Sequence, residues 1–363
     1  MLARSVLAVF LAFLGGVAEA AEVSVPAGFR IDVFAEHLRM PRALAVDPVG
    51  VVLVSVPAEG RVLALPDRRG TGHATEIVTV VKDLNLPHGL AFRSGYLYVA
   101  ETGRILRFDY DPVSFATSNP AVLVRGLPPG AHHWTRSLAF GPDGKLYVGV
   151  GSSCDICREL DRRRAAIVRY DADGAGEEVF ATGLRNPVGL AFQPATGALW
   201  TSVNERDWSG GGAPPDYVTL VRPGASYGWP ECFARRGTFV SDPTFAGRGP
   251  RHRMTLPTLE LPPHSAPLGL AFYTGRQFPA DYVGSLFLAL HGSRAGLSPV
   301  GYKIVRIAFR DRQPEKVEDF STGWRDGDQV LGRPVDVAVG HDGSLYVSDD
   351  HAGRVYRVTF GPR

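Results

Sequence analysis

A repeated pattern of two short apolar strands joined by a glycine turn constrains this chain more than any other feature. In one copy, the polar pair Arg185-Asn186 and a Pro/Gly turn precede the apolar run Val188–Phe192, and a second strand follows at Leu199. Six copies occur along the 363 residues, and their first strands are centred on Leu44, Leu90, Leu138, Leu190, Leu270 and Val337. Strand–turn–strand units that recur about every 40–50 residues are typical of β-propellers. The pattern therefore predicts an all-β, six-bladed β-propeller.

Two further strands accompany most copies, which predicts blades of four antiparallel strands. A third strand such as Arg104–Phe108 follows the second, and a fourth such as Ala121–Val124 precedes the next copy. The sequence stops after the third strand of copy six, so this blade lacks its outer strand. We expect the N-terminal segment Arg30–Phe34 to supply it, because closing the ring removes exposed sheet edges.

The longest interruption of the repeat lies between copies four and five, at about residues 204–264. We interpret it as a loop insertion in a single propeller domain of residues 21–363, and long loops on a rigid scaffold often carry binding sites. The residues in front of the inner strands should meet at one end of the ring, around its central channel. This end would collect His88, His133, Arg185, Asn186, His264 and Arg333.

The N-terminus has the features of a cleavable secretory signal. Arg4 is followed by the apolar run Val6–Leu14, which is too short to span a bilayer, and by the small-x-small site Ala18-Glu19-Ala20. We predict a signal peptide at residues 1–20 with cleavage after Ala20, and a periplasmic or secreted protein. No other stretch approaches the length of a transmembrane helix, so we expect no membrane span in the mature chain.

The three cysteines suit an oxidising compartment. Cys154 and Cys157 form a CxxC motif, but Arg158 follows instead of histidine, which argues against haem attachment. A short structural disulfide is favoured over a redox role, and both remain open. We expect Cys232 to be buried or partly buried, and free.

The net charge of the chain bears on nucleic acids as partners. A net charge of +2 without a basic run gives no indication of nucleic acid binding.

Several single residues are candidates for a functional site. His133 could accept a proton near neutral pH, although a structural histidine is an equal alternative. Arg185-Asn186 needs partners, either a bound anion or a structural salt bridge. The run Asn204–Asp207 is rich in oxygen and could hold calcium, and more polar groups follow at His291–Arg294 and Lys303.

Several of these motifs together resemble one protein family. Gly183-Leu184-Arg185-Asn186-Pro187-x-Gly189, Tyr227-Gly228-Trp229-Pro230 and Gly332-Arg333-Pro334-Val335-Asp336 are similar to motifs of the soluble quinoprotein glucose/sorbosone dehydrogenases. The resemblance covers essentially all of the mature chain. The CxxC loop and the segment from Pro263 to Gly269 resemble the sorbosone branch more than the glucose branch.

The resemblance implies a dehydrogenase of a sugar, sugar aldehyde or polyol that uses pyrroloquinoline quinone (PQQ) and calcium. His133 would be the general base as hydride passes to the quinone, with Arg185 stabilising developing charge. The remaining positions divide into a cofactor set and a metal set. The cofactor set is His88, Arg185, Asn186, His291, Arg294, Lys303 and Arg333, and the metal set is Glu205, Arg206 and Asp207. In the family, backbone carbonyls at positions 205 and 206 would face the calcium. An external quinone, cytochrome or dye would accept the electrons.

Three positions depart from the glucose branch. Glu205-Arg206 replaces Gly-Pro, which suggests that side chains contribute to the calcium shell. Val335 replaces an arginine, and His291 lies near the position of a lysine that binds the cofactor. Two alternative functions stay open from the residues alone: a calcium-dependent lactonase on the same type of ring, and a propeller that binds a protein or glycan without catalysis.

Overall fold

The computed structural model describes residues 23–130, 132–208, 212–245, 253–294 and 296–362. The predicted signal peptide and part of the loop around residue 210 lie outside these residues. Within the described residues the chain forms strands and three 3₁₀ turns, at Pro57–Glu59, Pro243–Phe245 and Ala280–Tyr282. None of the helical segments found there is long and apolar enough to cross a membrane.

The first strand, β1, spans Phe29–Ala35 and belongs to the last blade. Each blade that follows is an antiparallel sheet of four strands, and consecutive strands in the chain are neighbours in the first three. Blade 1 consists of β2 (Leu44–Val46), β3 (Val52–Val56), β4 (Arg61–Leu65) and β5 (Val78–Val81). Blade 2 consists of β6 (Leu90–Arg93), β7 (Tyr96–Ala100), β8 (Arg104–Tyr110) and β9 (Thr117–Arg125). Blade 3 consists of β10 (Arg136–Phe140), β11 (Leu146–Val150), β12 (Ala166–Tyr170) and β13 (Glu178–Thr182).

The second half of the ring has the same plan with two added hairpins. Blade 4 and its hairpin contain β14 (Pro187–Phe192), β15 (Leu199–Val203), β16 (Tyr217–Leu220), the hairpin β17 (Cys232–Arg235) and β18 (Thr238–Ser241), and β19 (Leu259–Glu260). Blade 5 contains β20 (Pro267–Phe272), β21 (Leu286–Leu290), β22 (Lys303–Arg310) and β23 (Gln313–Ser321). A small hairpin of β24 (Arg325–Asp326) and β25 (Gln329–Val330) precedes blade 6, which contains β26 (Pro334–Val339), β27 (Leu345–Asp349) and β28 (Arg354–Phe360). The six-bladed, four-stranded propeller predicted from the repeat is confirmed.

The ring is closed by the N-terminal strand, as predicted. Strand β1 pairs antiparallel with β28, so that Phe29 lies opposite Phe360 and Val33 opposite Tyr356. The Phe29 ring packs against Phe278 and Phe320, with centroid separations of 4.8 and 5.1 Å and edge-to-face geometry. Such aromatic pairs stabilise beyond their burial alone. Hydrogen bonding and core packing therefore both hold the first and last parts of the ring together.

The segment 204–264 is divided differently from the prediction. It is not only a loop insertion, because β16 and β19 within it are the third and fourth strands of blade 4. The added structure is the hairpin β17–β18 and the loops around it. This hairpin contains Cys232, whose thiol is buried and free as expected.

The glycine that precedes the Leu-Ala-Phe run allows the inner strands to approach each other around the channel. A Cβ on Gly189 would lie 2.4 Å from the Leu268 carbonyl oxygen of the next blade. A Cβ on Gly269 would lie 1.8 Å from Asp336 Oδ1 in the blade after that. This close approach explains the glycine at these two positions of the repeat. The inner strands surround a narrow channel, and the residues in front of them lie at one end of it.

Candidate active site

A cavity of about 250 Å³ lies at this end of the ring. It brings together residues that are far apart in the chain and that precede the inner strands or follow the second strands of several blades. Eight of the residues predicted from the sequence line it: His133, Arg185, Asn186, Glu205, Asp207, His291, Arg294 and Arg333. Asn204 and His264, which the sequence placed in the oxygen-rich run and at this end of the ring, also line it. Arg42 and Asp216 line it as well, and the sequence indicated no role for either of them.

Three predicted site residues do not line the cavity. His88 is only 4% exposed and lies in the central channel, where neither ring nitrogen has a hydrogen-bond partner in the described part of the chain. Arg206 turns toward the inserted hairpin and pairs with both carboxylate oxygens of Asp242, at 2.9 and 2.7 Å. Lys303 begins β22 and pairs with Asp319 at 2.7 Å. For Arg206 and Lys303, these carboxylate partners explain why position along the chain did not predict the orientation of the side chain.

His133 is held in an orientation that suits a proton acceptor. Its Nδ1 lies 3.0 Å from both the carbonyl oxygen and the hydroxyl oxygen of Ser152. The Ser152 hydroxyl donates its own proton to the Cys154 carbonyl at 2.7 Å, so Nδ1 carries a proton and donates to Ser152. The lone pair is then on Nε2, for which the described residues provide no hydrogen bond. His133 therefore presents an unprotonated nitrogen to the cavity.

The environment also keeps His133 neutral. Burial, followed by the positive charge of Arg185, lowers the pKa of His133 to about 3. A histidine with this pKa is unprotonated at neutral pH and is available as a base.

The guanidinium of Arg185 already has protein partners. The side chain is 2% exposed, and its Nε donates to the Asp155 carbonyl at 2.9 Å while Nη2 donates to Asp155 Oδ1 at 2.8 Å. Nη1 donates to the carbonyls of Asn204 and Glu205, at 3.2 and 2.7 Å. The structure thus shows the salt-bridge alternative for Arg185, and a bound anion is not needed to satisfy it. The neighbouring Asn186 differs, because its buried Oδ1 has no partner among the described residues.

The backbone carbonyls predicted to face calcium have other partners. The Glu205 carbonyl accepts from Arg185, and the Arg206 carbonyl accepts from the Trp208 N–H at 3.0 Å. The side chain of Glu205 is the stronger candidate for a cation ligand. Burial raises the pKa of Glu205 to about 8, an effect that the charge of Arg185 only partly offsets. A bound cation would stabilise the ionised form of such a buried carboxyl group.

A second acidic residue stands beside Glu205. Asp216 Oδ1 accepts from the Glu205 N–H at 2.8 Å, and Oδ2 accepts from the Ala266 N–H at 2.9 Å. Burial raises the pKa of Asp216 to about 6 in spite of these bonds. With Asp207, which pairs with Arg294 at 2.8 Å, these carboxylates form the acidic side of the cavity.

The opposite side of the cavity is cationic. Arg42 donates to Asp350 Oδ2 at 2.5 Å, and His291 Nε2 lies 3.0 Å from Asp350 Oδ1. A carboxylate oxygen can only accept, so Nε2 of His291 carries the proton of this bond. Burial lowers the pKa of His291 in spite of Asp350. Arg333 donates through Nε and Nη2 to the carbonyls of His291 and Gly292, at 3.1 and 2.6 Å. These bonds leave Nη1 of Arg333 without a partner among the described residues.

The CxxC segment borders the site. Cys154 and Cys157 form a disulfide, as favoured from the sequence. The intervening Asp155 contacts Arg185, and the preceding Ser152 contacts His133. The disulfide-closed segment therefore contacts two residues of the cavity wall, His133 and Arg185.

Comparison with known proteins assigns the family. The TrAA12-like family model matches residues 23–209 and 216–360. The chain belongs to the TrAA12-like family. Among its relatives is an uncharacterized protein of Borreliella burgdorferi, 27% identical over 355 residues that cover 93% of this chain and 91% of that protein.

Another relative is the pyrroloquinoline quinone-dependent pyranose dehydrogenase of Coprinopsis cinerea, 27% identical over 406 aligned residues. The alignment covers 93% of this chain, and the chain spans 54% of the length of that protein. The solved holo form of the PQQ domain of the Coprinopsis enzyme has a TM-score of 0.78 and 24% identity, and covers 93% of this chain and 97% of that one. The structural likeness confirms the fold, and the family prediction is confirmed as well. The more specific likeness to the sorbosone branch stays a prediction.

Proposed function

We propose that this protein is a PQQ- and calcium-dependent dehydrogenase that oxidises a sugar, a sugar aldehyde or a polyol. One observation carries the proposal: a single cavity combines buried carboxylates, buried arginines and a neutral histidine with a free ring nitrogen. The named activity of the Coprinopsis relative supports the choice of cofactor.

The residues of the cavity fit a quinone that carries carboxylates beside a divalent cation. On the cationic side, the Nη1 group of Arg333 and the unpartnered Nε of Arg42 are donors that a carboxylate would satisfy. On the acidic side, burial raises the pKa values of the carboxyl groups of Glu205 and Asp216. Oxygen ligands of this kind are those that calcium prefers. The side-chain ligands are also consistent with the departure from Gly-Pro at positions 205 and 206.

PQQ would supply the electron-accepting quinone, and calcium would polarise it. The reacting hydroxyl of the substrate would donate its proton to Nε2 of His133, because Nδ1 is already protonated and bonded to Ser152. Arg185 lies close enough to His133 for its charge to lower the pKa of that histidine. The guanidinium would therefore stabilise negative charge that develops in the cavity. Arg333 and Arg42 would hold the carboxylates of the cofactor.

The proposal is tested by reconstituting the purified protein with PQQ and Ca²⁺ and measuring dye reduction. The substrate panel should contain aldoses, sorbosone and polyols, and an artificial dye stands in for the external electron acceptor. We expect turnover with at least one substrate class that requires both additions. A lack of turnover across the panel would contradict the proposal. Lactone hydrolysis by the calcium-loaded protein without PQQ would favour a lactonase instead.

We further propose that the protein is exported and that the mature chain begins at Ala21. The motif at Ala18–Ala20 and the disulfide of Cys154 and Cys157 support this location. N-terminal sequencing of protein recovered from a periplasmic or culture fraction should find Ala21 first. An intact N-terminus on protein retained inside the cell would contradict the proposal.

A further inference from the structure

Asp155, which has no role in the chemistry above, bonds to two separate parts of the site, Arg185 and the loop of Arg206 and Asp207. Its Oδ1 accepts from Arg185 Nη2 at 2.8 Å and from the Asp207 N–H at 3.0 Å. Its Oδ2 lies 3.4 Å from Arg206 Nε, and its carbonyl accepts from Arg185 Nε at 2.9 Å. One residue therefore fixes the front of β14 relative to the loop that carries the acidic side of the cavity.

The same short segment also holds the proposed base. Ser152 contacts His133 through its carbonyl and hydroxyl oxygens, and the hydroxyl is fixed by its bond to the Cys154 carbonyl. We call residues 152–157 the clamp segment. It orients His133 at one end and Arg185 at the other, and the Cys154–Cys157 disulfide closes it. A covalent link across so few residues limits the conformations that Asp155 can adopt.

The electrostatics of Arg185 explain why such a clamp is needed. The guanidinium is 2% exposed, whereas Asp155 is 37% exposed, so the arginine has little access to water as an alternative partner. Arg185 already contacts Glu205, because its Nη1 donates to the Glu205 carbonyl at 2.7 Å. Without Asp155, Arg185 would lose this salt bridge, and the carboxyl group of Glu205, a proposed calcium ligand, would be a replacement partner. Pairing of Arg185 with Glu205 would remove one cation ligand and draw the arginine away from His133.

We propose that Asp155 is a positioning residue: held by the Cys154–Cys157 disulfide, it keeps Arg185 in the cavity wall and leaves the Glu205 carboxylate available to a cation. The inference about cofactor affinity rests on the proposed function, whereas the inference about the position of Arg185 does not. It also assigns the disulfide a part in the site in addition to stapling a loop.

The first test uses Asp155→Ala and a matched control that removes a carboxylate of similar exposure. Asp161 is 34% exposed and pairs with Arg163 at 2.7 Å, away from the cavity, so Asp161→Asn serves as that control. PQQ is titrated into each apoprotein with saturating Ca²⁺, and binding is followed by absorbance. We expect Asp155→Ala to raise the Kd for PQQ at least tenfold, Asp155→Asn to raise it less because an acceptor oxygen remains, and Asp161→Asn to change it less than twofold. Equal Kd values for the wild type and Asp155→Ala would overturn the proposal.

The second test removes the covalent link. Dithiothreitol would reduce the bond between Cys154 and Cys157 to two thiols and would itself be oxidised to its cyclic disulfide, in a balanced two-electron exchange. The reduced wild type and the variant Cys154→Ser/Cys157→Ser should both show a raised Kd for PQQ, and reoxidation should restore the wild type alone. Unchanged affinity in both would show that the disulfide has no part in positioning Asp155.

A third test does not depend on PQQ and separates this inference from the proposed function. A crystal structure of apo Asp155→Ala should show the Arg185 guanidinium shifted from the Asn204 carbonyl toward the Glu205 carboxylate. An unchanged guanidinium would contradict the positioning role, whatever the protein binds. A shifted guanidinium in a protein that binds no PQQ would support the clamp and contradict the proposed function.

Discussion

The ion pair between Arg42 and Asp350 gives the sharpest energetic prediction. Both side chains are about nine-tenths buried, at 10% and 9% exposure, and Asp350 also accepts from His291 at 3.0 Å. Replacing Asp350 with alanine leaves a buried guanidinium without a counter-charge, which costs about 3–5 kcal/mol. With an unfolding entropy of about 2.1 cal/mol/K per residue, a propeller of about 340 residues should lose about 4–7 °C in Tm.

The assay is urea unfolding of the apoprotein, with a calorimetric Tm as a second measurement. Asp350→Asn is the matched control, since it keeps the shape and one acceptor oxygen while removing the charge. The double variant Arg42→Met/Asp350→Leu should recover much of the lost stability, because removing both members of a buried pair leaves no unpaired charge. If the losses of the two single variants add without coupling, or if Asp350→Ala loses less than about 1 kcal/mol, the buried ion pair does not stabilise the fold in this way.

The same pair has a defined pH dependence. Burial alone would raise the pKa of Asp350, but the hydrogen bond from His291 and the charge of Arg42 hold it well below its usual value. A carboxyl group whose pKa is lower in the folded state stabilises the fold above its unfolded pKa, about 3.9, and loses this contribution in more acidic solution. The difference between the wild type and Asp350→Ala should therefore stay constant from pH 7 to pH 5 and decrease only below about pH 4. A difference that disappears between pH 7 and pH 5 would indicate another titrating group.

Three further variants test the base, the metal ligand and the ring. His133→Gln should lower kcat about 10²–10⁴-fold with little change in PQQ affinity. At saturating Ca²⁺, which would keep Glu205 and Asp216 ionised, wild-type kcat/KM should fall toward pH 3, because the pKa of His133 is about 3 and the protonated ring cannot accept a proton. A fall of kcat/KM near pH 6.5 under these conditions would contradict this environment. Glu205→Gln should weaken Ca²⁺ binding at least tenfold in a calorimetric titration, and equal affinity would exclude the side chain as a ligand. Gly269→Ala should destabilise the propeller by about 1–3 kcal/mol, because its Cβ would lie 1.8 Å from Asp336 Oδ1. Gly103→Ala, where a Cβ has open space, is its control, and equal stability of the two would count against close packing of the inner strands.

The fold could be predicted because each blade repeats the same local physics. A buried inner strand and a glycine turn recur often enough to define the ring, and the missing outer strand of copy six indicated the closure by Arg30–Phe34. The third and fourth strands of blade 4 were missed for a local reason. A hairpin separates them in the chain, and the fourth, Leu259–Glu260, is only two residues long, which is too short to show an alternating pattern.

The residues that line the cavity could be predicted better than the hydrogen bonds that each of them makes. Asp350 was missed because its partner Arg42 lies 308 residues away in the sequence. A positional signal was nevertheless present, since Asp350 directly follows the second strand of its copy, as Asn204 and His291 do in theirs. Repeat position predicts which residues reach the cavity end, but the partners of each side chain depend on charges in other blades. For this reason Arg185 proved to be bonded to Asp155, with no bound anion required.

The most direct test of the account is a titration of the purified apoprotein with PQQ in the presence and absence of Ca²⁺. Binding is followed by the absorbance of the quinone and by the melting temperature. We expect saturable binding near one PQQ per chain that requires Ca²⁺, with a clear rise in Tm that increases with ligand concentration. No change in absorbance or Tm with both ligands present would contradict the assignment of this cavity as a quinone site.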